Sequence, residues 1–324
     1  MSMSVRFDRV GGPQVMQLVD APVAAPGPGE IRLRHGAVGL NFIDVYHRRG
    51  VYVVPLPSGL GIEAAGTVTA LGAGVAEFAV GDRVAYAGGA LGAYSEERLL
   101  PAARAVKLPA AVSEEAAAAL MLKGMTAYYL LHLSFVVRPG HTLLVHAAAG
   151  GVGSVLVPWA KHLGATVIGT AGSQDKAQLA RAAGCDHVIL YREGGFAAEV
   201  KRLTGGAGVD VVYDSVGKDT FIGSLDSLKR RGLLVSFGNA SGKVPPFEPV
   251  LLSDKGSLFL TRPTLAHYTT TREELETAAN ALFAAIAGGI VQPQIGQRYA
   301  LREVARAHAD LEARHTTGAS LLLP

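Results

Sequence analysis

The 324-residue chain is 49% hydrophobic and 18% charged, against a usual charged share of about 25%, which excludes a disordered protein or one with long charged tails. Lys and Arg total 30 and Asp and Glu 27, for a net charge of +3 without a run of like charge, so nucleic acid is not an expected primary partner. A lone cysteine, Cys185, excludes an intrachain disulfide and a multi-cysteine metal site, and fits a reducing, cytoplasmic setting. Residues 1–8 offer no apolar stretch of signal-peptide length, so export is not expected. At about 150 residues per domain, two domains are expected.

The first 120 or so residues are punctuated by Gly and Pro and read as mostly β, with strand-like runs at 30–38, 64–70 and 82–87. Ser113, Glu114 and Glu115 then open an alanine-rich helix over 116–122 with acidic residues in its first turn, and a domain boundary is expected after it. Residues 139–160 lack Asp, Glu, Lys and Arg. About 20 apolar residues can span a bilayer, but Pro139, Gly140, Gly150, Gly151, Gly153 and Pro158 break this stretch, and no membrane span is expected. From Thr142, strands expected at 142–147, 166–170, 187–190, 209–214 and 232–237 alternate with helices expected at 152–163, 174–183, 196–203 and 219–230. Such alternation argues for βαβ units and a parallel sheet, hence an α/β fold with a doubly wound, Rossmann-type domain. Pro158 is expected to kink its helix. A helix follows over 272–288, and residues 299–324 read as helix then strand, able to fold back on the first domain.

Strand 143–147 runs into Ala148-Ala149-Gly150-Gly151-Val152-Gly153, a G-x-G-x-x-G turn whose first glycine is Ala148. Gly150 lets the backbone approach a pyrophosphate, Gly153 permits close helix–strand packing, and the helix N-terminus supplies N–H groups to the anion. NAD sites usually place a carboxylate about 20 residues on, at the end of the second strand. Here that place is Thr170-Ala171-Gly172-Ser173, with Lys176 beyond, which favours NADPH, although Asp175 is a counter-signal and Lys176 could be an ordinary exposed lysine.

Gly61-Ile62-Glu63-Ala64-Ala65-Gly66 resembles the Gly-His-Glu-x-x-Gly motif of zinc alcohol dehydrogenases, but Ile62 stands where their zinc-binding histidine belongs. Residues 40–44 contain no cysteine where a second ligand is expected, so no metal is expected. Without a Lewis acid, reduction of a simple ketone or oxidation of an alcohol has no obvious driver, whereas an intrinsically electrophilic acceptor such as a quinone or activated enone does not need one.

Together with segments 41–50, 60–66, 123–129, 146–153, 212–217, 231–239 and 261–263, these features resemble the zinc-free quinone oxidoreductases. Those form the zeta-crystallin-like branch of the medium-chain dehydrogenase/reductase superfamily. The resemblance covers essentially the whole chain. It implies a GroES-like, partly opened barrel domain at 1–122 and 263–324, a Rossmann domain at 123–262, NADPH as donor and a homodimer joined mainly through the Rossmann sheets. It places Asn41, Tyr46, Tyr52, Lys123 and Thr126 around the nicotinamide and acceptor. It places Gly150, Gly151, Val152 and Gly153 at the pyrophosphate, Ser173, Lys176, Tyr191 and Arg314 around the 2′-phosphate, and Phe237, Gly238 and Asn239 along the nicotinamide half.

Plainer readings stand beside these. Asn41 could cap a turn and Asp44 a helix; Tyr46 and Tyr52 could be packing aromatics; Thr126 could be a helix-surface hydroxyl; Arg314 could end a helix in solvent. Cys185 reads as a buried apolar residue, and His47 and His146 as hydrogen-bonded structural groups. The expected function is NADPH-dependent reduction of quinones. Alternatives are an NADPH-dependent reductase of α,β-unsaturated carbonyls and a non-catalytic, crystallin-like or RNA-binding role, the last disfavoured by the lack of basic clustering.

Overall fold

The computed structural model describes residues 1–191 and 195–324. They form two compact units, Met1–Met125 with Thr269–Pro324, and Thr126–Tyr268. The boundaries expected after Leu122 and Arg262 lie a few residues earlier on the chain.

The first unit opens with β1 (Ser2–Phe7) and β2 (Gln17–Ala21), paired antiparallel. β3 (Glu30–Leu40) buries Ile31, Leu33 and His35 on one face, the period of a half-buried strand. Next comes α1 (Phe42–Arg49), a helix within a stretch that reads as β. Its signals are end effects: an extended Asn41 before it, Asp44 in the first turn, His47, Arg48 and Arg49 in the last, and Gly50 at φ 75° stopping it. β4 (Ser58–Gly59), β5 (Glu63–Leu71), β6 (Arg83–Ala87), β7 (Glu97–Pro101) and β8 (Val106–Lys107) follow. α2 (Glu114–Tyr129) starts with its expected acidic turn, runs well past Leu122 and ends in a π-helical turn at Leu130–Ser134. It carries the chain into the second unit.

That unit alternates β9 (Thr142–Val145), α3 (Gly153–His162), β10 (Thr166–Ala171), α4 (Gln174–Ala182), β11 (His187–Leu190), α5 (Phe196–Leu203), β12 (Val209–Asp214), α6 (Phe221–Ser227), β13 (Leu228–Ser236), α7 (Val250–Asp254) and β14 (Phe259–Thr261). Among the described residues the strands form one parallel sheet in the order β11-β10-β9-β12-β13-β14. The order reverses between β9 and β12, the switch point at which such sheets bind ligands. Leu144, Ile168, Val212, Leu225 and Leu234 fill its core. α3 runs through Pro158. The helix expected over 219–230 is shorter, because Leu228 already pairs with Val209 of β12 and the strand expected from Gly232 starts there instead. Lys229, Arg230 and Arg231 look like the polar end of a helix, yet they are the exposed start of β13, a case of tertiary pairing overriding local pattern.

The chain returns to the first unit with α8 (Arg272–Ala287), capped by the Thr271 hydroxyl, which accepts from the Glu274 N–H at 3.1 Å. β15 (Ile295–Ala300), α9 (Val304–Glu312) and β16 (Ala319–Leu323) complete it. Tyr299 and Ala300 therefore end a strand, and the expected helix begins only after them. β16 pairs antiparallel with β3, so the tail does fold back; the larger sheet runs β15-β16-β3-β5-β6-β8, with β7 also on β3. One core joins Val5, Ile31, Leu33 and Tyr94 to Tyr299, Leu301 and Leu322. Among the described residues no helix is long and apolar enough to cross a membrane.

Candidate active site

In the first unit two of the expected acceptor residues, Asn41 and Lys123, meet at a carboxylate that the motif reading left without a role. Glu63, at the start of β5, is fully buried. Its Oε2 accepts from Asn41 Nδ2 at 2.7 Å and from Lys123 Nζ at 3.3 Å, and its Oε1 accepts from the Leu122 backbone N–H at 2.5 Å. Gly39 makes room for this: a Cβ there would lie 2.2 Å from Glu63 Oε2 and 2.3 Å from the Ala118 carbonyl. Lys123 is only 5% exposed, so its ammonium and the Glu63 carboxylate form a buried ion pair. Asn41 and Lys123 each keep further N–H donors beyond those bonds, enough to stabilise negative charge on an acceptor oxygen.

Asn41 does cap a helix, but through its backbone: its N–H donates to Asp44 Oδ2 at 2.8 Å while its amide is held by Glu63. Asp44 also accepts from the Tyr94 hydroxyl at 2.9 Å. Burial pushes its carboxyl up to about 7, against the Asn41 and Tyr94 hydrogen bonds that favour the ion. Tyr46 and Tyr52 are half-buried and meet edge to face at 5.4 Å. His47 contacts Tyr52 at 6.0 Å, and burial lowers its pKa.

In the second unit β9 leads into the glycine turn. A Cβ on Gly153 would sit 2.5 Å from the carbonyls of both Ala147 and Ala148, and one on Gly150 would sit 3.0 Å from the Ala147 carbonyl. Gly153 therefore has no room for a side chain and Gly150 little, so the turn packs closely on itself where β9 meets α3. Gly151 and Val152 complete the turn before α3. His146 is a structural group, as expected: its ring nitrogens bond Thr170 Oγ1 at 3.0 Å and Ser224 Oγ at 2.9 Å, and burial lowers its pKa although Asp214 opposes this. Asp214, at the end of β12, binds Ser224, Thr220 and the N–H groups of Val216 and Gly217, fixing the loop at the switch point. Phe237 and Gly238 follow β13 with their N–H groups on the Asp214 carbonyl, and a Cβ on Gly238 would meet the Ser215 carbonyl at 2.4 Å. Asn239 follows, half-buried.

At the end of β10, Ser173 caps α4 by accepting from the Lys176 N–H at 3.4 Å. Tyr191 packs on the same strand end, its hydroxyl 3.2 Å from where a Gly172 Cβ would be. Arg314 belongs to the first unit, exposed after α9 in the left-handed conformation at φ 62°. Thr126 is 8% exposed, so the helix-surface reading of its hydroxyl does not hold. Burial pushes the Cys185 thiol up to about 12, leaving an inert apolar residue. Among the described residues no three His, Cys, Asp or Glu side chains group to hold a metal ion.

Glu63 could have been singled out from sequence, since a charged residue inside an apolar strand needs partners. Asp214, ending the apolar strand 209–214, carried the same signal; Asp44 showed only as a candidate helix cap, and Tyr94 gave no local signal.

Residues 27–110 match the alcohol dehydrogenase GroES-like domain family, and residues 151–284 the zinc-binding dehydrogenase family. The chain is 52% identical over 327 residues to a quinone oxidoreductase of Salmonella typhimurium, with both chains covered in full. It is 46% identical over 331 residues to a 2-haloacrylate reductase of Burkholderia sp, covering 100% of this chain and 99% of that one. Among solved structures it is similar to Escherichia coli quinone oxidoreductase complexed with NADPH, at 51% identity and a TM-score of 0.98, over 99% of this chain and 100% of the other.

Proposed function

The chain belongs to the quinone oxidoreductases, the zeta-crystallin-like branch of the medium-chain dehydrogenase/reductase superfamily, and on that premise we propose how its residues serve NADPH-dependent quinone reduction. It is an oxidoreductase of α/β class, with a GroES-like domain and a Rossmann domain. In our reading, the Rossmann domain at 123–262 binds NADPH, while 1–122 and 263–324, with Lys123 at the boundary, hold the acceptor. The glycine turn at 150–153, at the N-terminus of α3, fits a dinucleotide pyrophosphate, with Phe237, Gly238 and Asn239 along the nicotinamide half. Ser173, Lys176 and Tyr191 would hold the 2′-phosphate, and Thr126 the nicotinamide. NADPH, when bound, supplies the hydride.

The observation that carries the reading is the Asn41–Glu63–Lys123 cluster. Family members with zinc polarise their substrate with a metal; here Ile62 replaces the histidine ligand, and the motif's buried Glu63 instead holds the Asn41 amide and the Lys123 ammonium. These donors stabilise charge on a quinone oxygen, with Tyr46 and Tyr52 as further donors and packing surfaces. A proton from tyrosine or water completes the hydroquinone. The exposed edge strand β14, with Phe259 61% exposed, supports a homodimer joined through this sheet. The lone cysteine supports a cytoplasmic setting.

A second reading, reduction of an activated carbon–carbon double bond, is favoured by the likeness to a 2-haloacrylate reductase. An acceptor panel decides: NADPH oxidation should be fastest with small and polycyclic quinones, and faster turnover of a short enone or a haloacrylate would establish the second reading instead.

A further inference from the structure

A buried chain of polar groups runs from α1 to α9 inside the first unit and has no part in the mechanism above. Asp44 Oδ2 accepts from the Asn41 N–H and from the Tyr94 hydroxyl, and Tyr94 also bonds His308 Nε2 at 3.1 Å. His308 Nδ1 lies 3.3 Å from Arg48, which is fully buried and donates to Glu312 at 2.6 Å. Burial and Arg48 hold His308 down to about 3, so it stays neutral. That fixes the direction of the chain: Arg48 donates to Nδ1, Nε2–H donates to Tyr94, and Tyr94 donates to Asp44. Asp44 Oδ1 is buried without a hydrogen-bond partner.

We propose that Asp44 is a positioning residue for acceptor reduction, buttressed by Tyr94, His308 and Arg48, which holds the Asn41 backbone so that the Asn41 amide stays on Glu63. The inference rests on the quinone reading above. Asp44 touches neither cofactor nor acceptor in this scheme; it acts through Asn41. Its grip depends on charge, because hydrogen bonds to a carboxylate are about twice as strong as those to a neutral acceptor. Both donors reach Oδ2, so the acid form carries its proton on the unpartnered Oδ1 and holds Asn41 more weakly. The charged groups facing Asp44 are Glu63 of β5, which opposes its ionisation, and Lys123 of α2, which favours it. Behind Tyr94 stand His308 and Glu312 of α9 and Arg48 of α1. With the carboxyl near 7, the site tightens as pH rises through neutrality.

Wild-type kcat/KM for a small quinone at saturating NADPH should rise across about pH 7. Asp44→Asn should abolish that rise and lie about tenfold below wild type at pH 8, the loss of one charge-assisted hydrogen bond, with KM for NADPH unchanged. Tyr94→Phe removes a donor to the ion and should move the rise to higher pH. A pH profile unchanged by both variants would overturn the proposal, and Tyr94→Phe alone decides if Asp44→Asn does not fold. Infrared difference spectra need no turnover. A buried carboxyl band should appear on acidification through neutrality in the wild type and be missing in Asp44→Asn; its persistence there also overturns the proposal. Loss of quinone turnover in the wild type with that band intact would instead count against the quinone reading.

Discussion

Replacing Glu63 tests how the acceptor side is held together. Its carboxylate and the Lys123 ammonium are 3.3 Å apart with side chains 0% and 7% exposed, so solvent screens the pair little. Removing one partner of a buried pair costs about 3–5 kcal/mol, because the other charge stays buried without compensation. Glu63→Ala also strips the acceptor from Asn41 Nδ2 and the Leu122 N–H, and should reach the top of that range. Glu63→Gln keeps one acceptor oxygen and should lose about 2–3 kcal/mol. Adding Lys123→Met to Glu63→Gln removes the stranded charge with little change of volume and should recover most of the loss. Quinone turnover should not recover, since Lys123 is then gone and Asn41 has lost its carboxylate. Hydrogen exchange at β5 and α1 amides reports this unit alone, which matters because two compact units need not unfold together. A loss under about 1 kcal/mol for Glu63→Gln, or no recovery in the double variant, would refute the ion-pair argument.

Lys176→Ala should raise KM for NADPH at least tenfold while leaving that for NADH within about twofold, the loss of one charge-assisted phosphate contact; steady-state kinetics with both cofactors would show equal effects if Lys176 faced no phosphate. Gly153→Ala places a methyl 2.5 Å from two backbone carbonyls, so NADPH affinity measured by fluorescence titration should fall about 10–100-fold, as expected for overpacking of about 1–3 kcal/mol in the cradle; an unchanged affinity would remove the turn from the binding site. His35 and His308 are held neutral near pKa 4 and 3 by burial. Below pH 6.5 the unfolded chain binds their protons first, so stability falls as pH drops from 6.5 towards those values, by on the order of 3–5 kcal/mol per group. Asp44, held near 7, has the opposite sign: as pH drops from 7 towards 3.8 its protonated form adds stability, which offsets about one of the two histidines. Melting temperature should therefore still fall on balance from pH 6.5 to 4, and a flat profile over that range would contradict the two neutral histidines.

The cofactor side was legible because its signals are local: the strand, glycine turn and helix of 142–163 lie in one stretch, and the missing carboxylate at 170–173 is read from four residues. The acceptor side is built from distance. Asn41 precedes α1, Glu63 opens β5 and Lys123 lies on α2, and the chain from Asp44 through Tyr94 to His308 joins residues up to 264 positions apart; no periodicity marks such partners. α1 was obscured by the surrounding glycines and prolines although its charge gradient was present, and β13 was hidden because Lys229–Arg231 gains its strand from pairing rather than from propensity. The resemblance supplied the roles of Tyr46, Tyr52 and Thr126, which no spacing suggests.

Metal-independent, NADPH-specific quinone reduction is tested most directly by the rate of quinone-dependent oxidation of NADPH and NADH by protein dialysed against a strong chelator. Turnover with NADPH should be undiminished and kcat/KM with NADH much lower; activity lost on dialysis and restored by zinc, or equal use of the two cofactors, would contradict this mechanism.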